Sequence, residues 1–277
     1  MTKTEKEKQK RTDCVIKLIS LDLDGTLLDP KGRVTDASRA AIAEARAAGL
    51  RVVINTGRDC HEAAWFAREA GCDTLNASTG GGMVSDGGQV LRRWDVPEPS
   101  GRQAVELCLG WGFDLMVFAG ERTLVNSAYK KYLDRHYPFP AFHAHAVVTD
   151  DPLGYMAKHK LPLTKIHGEL DPSQYPLDRL AALPGVALTT SSSHDVELVA
   201  AGADKGRALA LIAQRYGVPL DQCAAVGDSA NDLEALRAVG LPIAMGNAPE
   251  NVKAAAARIA PANNQEGAAW AILSCLK

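Results

Sequence analysis

Three short aliphatic runs, each ending in polar, reactive residues, most constrain what this chain can fold into. The first, Val15 to Leu23, is short, aliphatic and β-prone, as expected of a strand buried in a parallel sheet, and runs into the turn Asp24-Gly25-Thr26. An alanine-rich helical stretch follows from Ser38 to Gly49, with the glycine placed as its stop. The second run, Leu50 to Asn55, ends at Thr56-Gly57-Arg58, and another helix from about Cys60 to Ala70 stops at Gly71. Later, a helix from Gly206 to Tyr216 leads into the third run, Cys223 to Val226, which ends at Gly227-Asp228. Strand and helix in this rhythm predict an α/β fold with a Rossmann-like, doubly wound parallel sheet.

The rhythm breaks after Gly80-Gly81-Gly82, and the stretch after it carries most of the aromatic residues and six of the seven histidines. Short alternating segments (Leu115 to Phe118, Lys165 to Gly168, Val186 to Thr190) predict an inserted α+β unit with an antiparallel sheet. The expected division is a core of residues 14–86 and 195–277, a cap of residues 87–194 over the sheet's edge, and a disordered tail at 1–13.

Composition removes several function classes. With 31 basic and 33 acidic residues the net charge is −2, so no global field draws in nucleic acid or acidic lipid. No apolar run approaches the ~18–20 residues of a membrane span, and the charged first residues lack a signal peptide's apolar stretch. The six cysteines are scattered without a C-x-x-C pair, as expected of reduced thiols in a cytoplasmic protein. An anionic ligand must therefore be held by a local site.

Ligands of open α/β sheets bind at the carboxyl ends of the strands. There the sequence places Asp22 and Asp24, then Thr56 and Gly57, then Asp228 with Asn231 and Asp232. One such aspartate is usually a cap or turn residue. Four at one edge repel one another and call for a cation, and all-oxygen ligands suit Mg²⁺. The spacing Asp22-Leu23-Asp24 allows one carboxylate to act as nucleophile and the other as acid/base on the same phosphate. Gly25 and Thr26 permit a tight turn, Thr56 offers a hydroxyl, and Lys205 opens a helix, where its charge and the helix N-terminus both favour an anion.

These residues also resemble a family signature. Leu21-Asp-Leu-Asp-Gly-Thr-Leu-Leu-Asp29 resembles motif I of the haloacid dehalogenase-like superfamily, Asn55-Thr56-Gly57-Arg58 its second motif, Lys205 its third, and Gly227-Asp-Ser-Ala-Asn-Asp232 its fourth. The insert between Thr56 and Lys205 resembles a type C2 cap. Ala244-Met-Gly-Asn-Ala-Pro-Glu-Asn-Val-Lys253 and Asn264-Gln-Glu-Gly267 are similar to the Cof-type branch of phosphatases for sugar phosphates and cofactor phosphates. The resemblance implies a small phosphorylated metabolite as substrate, hydrolysed through an aspartyl-phosphate. It makes Asp22 the nucleophile and Asp24 the acid/base, with Mg²⁺ on Asp22, the carbonyl of Asp24 and Asp228. Thr56, Gly57, Arg58, Lys205 and Asn231 would contact phosphate or substrate, and Asp232 would support metal and lysine. Dehalogenases of the superfamily lack the second aspartate, so Asp24 points to phosphoryl transfer. A phosphosugar mutase uses the same intermediate, and a non-catalytic metabolite-binding protein would have lost Asp22 or Asp24. Where relatives carry an Asn-Gly-Ala turn, this chain has Thr79-Gly80-Gly81-Gly82.

Other features read as structure. His143 and His145 flank Ala144 and would share one face of a strand, solvated rather than metal-bound. Trp65-Phe66 reads as core, and Arg92-Arg93 as exposed charge at the junction.

Overall fold

In the computed structural model, residues 15–112, 114–169, 171–190 and 195–276 are described, and the expected tail at 1–13 lies outside them. In chain order, the first strands are β1 (Leu18–Leu21), β2 (Arg51–Ile54), β3 (Leu75–Ser78), β4 (Met83–Asp86), β5 (Gln89–Arg93), β6 (Leu115–Ala119) and β7 (Arg122–Val125). They continue with β8 (Ala146–Val148), β9 (Leu163–Glu169), β10 (Val186–Thr189), β11 (Asp195–Ala200), β12 (Cys223–Gly227), β13 (Leu241–Ala244) and β14 (Arg258–Ile259).

The aliphatic runs form one parallel sheet in the order β14-β13-β12-β1-β2. Because both faces of β1 are covered, alternate residues enter two different cores. Ile19 and Leu21 pack with the helices Asp36–Ala47 and Gly267–Ser274, and Leu18 packs on the other face with helix Lys205–Tyr216. Side-chain caps set the helix starts: Thr35 accepts from the Ser38 N–H, Asp59 from Glu62 N–H and Asp204 from Arg207 N–H. The helix Cys60–Ala70 ends at Gly71 in the left-handed conformation, as the sequence predicts.

The insert builds a second, largely antiparallel sheet, β10-β11-β9-β6-β7-β8, around its own apolar cluster. Strand β11, read from the sequence as the start of the returning core, is hydrogen-bonded between β9 and β10 of this sheet. Its six residues are all buried, so apolarity alone does not reveal which sheet they complete. A third, three-stranded antiparallel sheet, β3-β4-β5, joins the parallel sheet through a bridge between Asn55 and Ala77. His143 and His145 lie not on a strand but in a helix, Pro140–His145, where residues two apart do not share a face. His145 stacks on His61 at 3.9 Å, and His143 Nε2 lies 2.6 Å from the Tyr137 carbonyl. Phe66 is core and Trp65 packs against that core.

Candidate active site

The parallel register aligns Leu21 with Val226 on one side and with Ile54 on the other. The residues just beyond these strand ends therefore emerge at one edge: Asp22, Asp228, and Asn55 with Thr56. After β1 the chain makes one wide turn, closed by the Leu27 N–H to the Asp22 carbonyl at 3.2 Å and by Leu28 N–H to the Leu23 carbonyl at 2.9 Å. Gly25 sits in this turn at φ +74°, and a Cβ there would lie 2.2 Å from Asp228 Oδ2. Only glycine lets the two strand ends approach this closely.

Lys205 ties the edge together. Its Nζ donates to Asp22 Oδ1 at 2.7 Å and to Asp232 Oδ1 at 2.6 Å, and the residue is 1 % exposed. Asn55 holds the lysine's backbone by donating its Nδ2 to the Lys205 carbonyl at 2.9 Å. At Gly81, φ is +88° and a Cβ would lie 2.2 Å from the Asp204 carbonyl, so the triple-glycine turn is what admits the lysine's loop. The second oxygen of Asp232 accepts from the N–H groups of Asp228 and Ser229, at 2.9 and 3.0 Å, and shapes the loop that carries Asp228. Asp228 in turn accepts from Thr26 Oγ1 at 2.9 Å and Asn247 Nδ2 at 3.3 Å.

The charges do not balance within this cluster. Burial pushes Asp22 well above the usual carboxylate range; Lys205 opposes this, and Asp232 and Asp228 add to it. Burial, and then the Asp232 charge, raise Asp228 to about 7. Desolvation would lower Lys205, but Asp22 and Asp232 outweigh it and keep the ammonium charged. One ammonium thus faces three carboxylates. Oxygens of Asp22, Asp228 and Asp232 lie within 4.8 Å of one another, a hard-oxygen set that could hold a metal ion. Asp232 is held by the Lys205 ammonium and by two backbone N–H groups of its own loop, whereas Asp228 accepts only from the neutral side chains of Thr26 and Asn247, which can yield to an ion, so Asp22 and Asp228 are the better-placed ligands.

Asp24 faces the adjoining cavity with 61 % of its side chain exposed and is gripped by Arg58, whose Nε and Nη2 donate to its two oxygens at 2.7 Å each. Desolvation raises Asp24, but the Arg58 charge and hydrogen bonds prevail and hold it below its ordinary value. Arg58 itself is buried among Phe66, Tyr137 and Phe139, 3.9 Å above the Phe139 ring, and donates to Glu62 at 2.7 Å. The arginine therefore contacts both Asp24 and the insert's Tyr137 and Phe139. Thr56 is wholly buried, and its hydroxyl oxygen accepts from the Arg58 N–H at 3.2 Å. Asn231 and Gly57 line the cavity, of about 290 Å³, together with Asp22, Asp24 and Arg58.

Of the candidate site residues, Asp22, Asp24, Gly57, Arg58 and Asn231 line the cavity, and Thr56, Lys205, Asp232 and Asp228 are joined to them by hydrogen bonds. The structure adds three that the sequence reading missed: Lys165 and His167 on β9 and Glu197 on β11. They sit in strands whose alternating pattern marks only a sheet, and no local motif distinguishes them. His167, Asp195 and Glu197 bring ligand atoms within 4.8 Å of one another, but Lys165 Nζ already lies 2.6 Å from Glu197 Oε1 in a cation's place.

Comparison with known proteins finds relatives over nearly the whole chain. A phosphatase of Bacillus subtilis, YwpJ, is 27 % identical over 92 % of this chain and 98 % of its own length. The 5-amino-6-(5-phospho-D-ribitylamino)uracil phosphatase YcsE of the same organism is 28 % identical over 95 % of this chain and 96 % of its own. A solved haloacid dehalogenase-like hydrolase from B. subtilis superposes with a TM-score of 0.83 at 26 % identity, over 93 % of this chain and 99 % of that one. Among the described residues no helix is long and apolar enough to cross a membrane. The family model of haloacid dehalogenase-like hydrolases matches residues 19–272, nearly the whole chain, and the protein belongs to that family as a Cof-type α/β hydrolase with a Rossmann-like core and a cap.

Proposed function

We propose that this protein is a Mg²⁺-dependent phosphatase that hydrolyses small phosphomonoesters through a phosphoryl group carried on Asp22. The observation that carries this reading is a buried carboxylate held at 2.7 Å by Lys205, with a second carboxylate two residues on facing the same cavity. Asp22 attacks phosphorus as the bond to the leaving oxygen breaks, and Asp24 gives that oxygen its proton. Asp24 then takes a proton from the water that attacks the phosphorus, and Asp22 is released. Lys205 and Thr56 orient the phosphoryl oxygens, and Asp232 keeps Lys205 in place. Held by Asp22, the carbonyl of Asp24 and Asp228, Mg²⁺ would neutralise charge on the phosphoryl group.

Arg58 adds a condition. Its ion pair favours the ionised, base form of Asp24, so proton donation requires the guanidinium to give up part of that contact. An incoming phosphate is a competing anion for it. Residues 87–194 together with β11 would cover the site as the cap. Because the relatives' names specify phosphatases, transfer is assigned to water; formation of an isomeric sugar phosphate without phosphate release would overturn this assignment.

The test varies the leaving group. Asp24→Asn should slow phosphorylation of Asp22 far more with an alkyl phosphate than with an activated aryl phosphate, whose leaving oxygen needs little protonation. Rapid-quench measurement of the phosphorylation step separates this from slow release of the intermediate. Equal losses for both substrates would remove Asp24 from the acid role.

Mg²⁺ binding should also raise the melting temperature, by about 2.7 kcal/mol of stability at a hundred times Kd, or several degrees at about 2–4 °C per kcal/mol. Asp228 binds the ion in its ionised form but titrates at about 7 in the metal-free protein. Asp22, the other carboxylate ligand, is raised as well, so the Mg²⁺ shift should grow as pH rises through 7. Asp228→Asn should blunt the shift and its pH dependence at constant ionic strength. An undiminished shift in that variant would exclude Asp228 as a ligand.

A further inference from the structure

Across the cavity from Asp22 the insert presents a buried ion pair that the proposed chemistry does not use. Lys165 on β9 and Glu197 on β11 are 1 % and 2 % exposed, and Lys165 Nζ donates to Glu197 Oε1 at 2.6 Å. The same ammonium donates to the Gly57 carbonyl at 2.9 Å, beside Thr56, so the pair abuts the proposed phosphate site. Two of its three N–H groups are thereby used, and one remains. Glu197 Oε2 is buried and has no hydrogen-bond partner among the described residues. Leaving a buried carboxylate oxygen unpaired carries a substantial free-energy cost. Both side chains line the cavity that holds Asp22 and Asp24, with His167 next to them and Met116, Phe118 and Leu133 also lining it.

We propose that Lys165 and Glu197 form a subsite for a vicinal diol of the leaving group, one hydroxyl donating to Glu197 Oε2 and its neighbour accepting from Lys165 Nζ. This rests on the phosphatase reading and narrows its substrates to phosphorylated polyols or sugars. A hydroxyl donates hydrogen bonds without carrying charge. An amine or a metal ion would also satisfy Glu197, but the Lys165 ammonium at 2.6 Å from the same carboxylate repels a second cation. A purely apolar leaving group leaves Oε2 unpaired. Sites built to bond a hydroxyl reject analogues that lack it far more strongly than apolar pockets reject an extra methylene. The cavity of about 290 Å³ limits the leaving group to small molecules.

The experiment uses matched pairs on the wild-type protein with Mg²⁺: glycerol phosphate against n-propyl phosphate, and sorbitol phosphate against n-hexyl phosphate. Phosphoethanolamine serves as the cationic arm and an aryl phosphate as the independent check of phosphatase activity. The diol subsite requires kcat/KM for each polyol to exceed that for its alkyl partner at least tenfold, and to exceed that for phosphoethanolamine. Glu197→Gln, which presents a carboxamide in place of the free carboxylate, should cut the polyol-to-alkyl ratio at least tenfold. Glu197→Asp, which keeps the charge but withdraws it by one methylene, should also lower it. A wild-type ratio near one, a preference for the amine, or an unchanged ratio in a folded Glu197 variant would each overturn the subsite. Should neither variant fold, the wild-type ratios decide. No phosphate release from any substrate, the aryl phosphate included, would instead overturn the phosphatase reading itself.

Discussion

Asp22→Asn should reduce turnover to less than about a hundredth of wild type while leaving the protein folded, because an amide cannot serve as the nucleophile that carries the phosphoryl group. The surroundings of Asp22 allow the fold to survive. Asparagine nearly matches aspartate in shape, and its carbonyl oxygen can still accept from Lys205 Nζ, which keeps Asp232 as its second partner at 2.6 Å. The substitution also removes one of three mutually repelling carboxylates, so the metal-free variant should melt at or above the wild-type temperature. Activity on an aryl phosphate, circular dichroism and thermal melting in chelator together test this. A well-folded variant that retains more than about a hundredth of the rate would take Asp22 out of the nucleophile's position.

Lys205→Met should produce the largest combined loss, in activity and in stability. Methionine fills much of the lysine's volume but leaves Asp22 and Asp232 buried without their ammonium. Removing one partner from a buried ion pair typically costs about 3–5 kcal/mol, or a fall on the order of 10 °C at the 2–4 °C per kcal/mol usual for this size. The pH dependence comes from the carboxylates left behind. Without the lysine, Asp22, which burial already pushes well above the unfolded value of about 3.9, rises further. Groups whose folded pKa is raised bind protons on folding, so their stabilising contribution is present at low pH and is lost as pH rises through the folded pKa. The gap between variant and wild type should therefore be widest near neutral pH and narrow on acidification, and Mg²⁺ should recover part of it. Urea denaturation at several pH values measures this directly. A constant gap across pH would mean that the cost comes from packing rather than from unpaired charge.

Much of the proposed site was legible in the sequence because its parts are local. Asp22 and Asp24 follow an aliphatic strand, Asp228 follows another, and Lys205 opens a capped helix. Strand periodicity, glycine stops and cap residues depend on neighbours a few positions apart, and parallel pairing brings the strand ends to one edge whatever lies between them. The family resemblance, carried by the same short segments, drew on that same local information.

What only the tertiary structure decided depends on residues far apart in the chain. Arg58 pairs with Asp24 across 34 positions, Lys165 with Glu197 across 32, and Asn55 supports the Lys205 carbonyl across 150. The pairing of β11 with β9 belongs to the same class, since a fully buried strand fits either sheet until its partners are in place. The sequence alone determined which chemical groups stand at the strand ends, because a two-residue repeat and a helix cap are short-range rules. Which charges meet, which carboxylate oxygen is left without a partner, and which sheet claims a strand are set by packing, because the Coulomb and desolvation terms that decide them depend on distances in space.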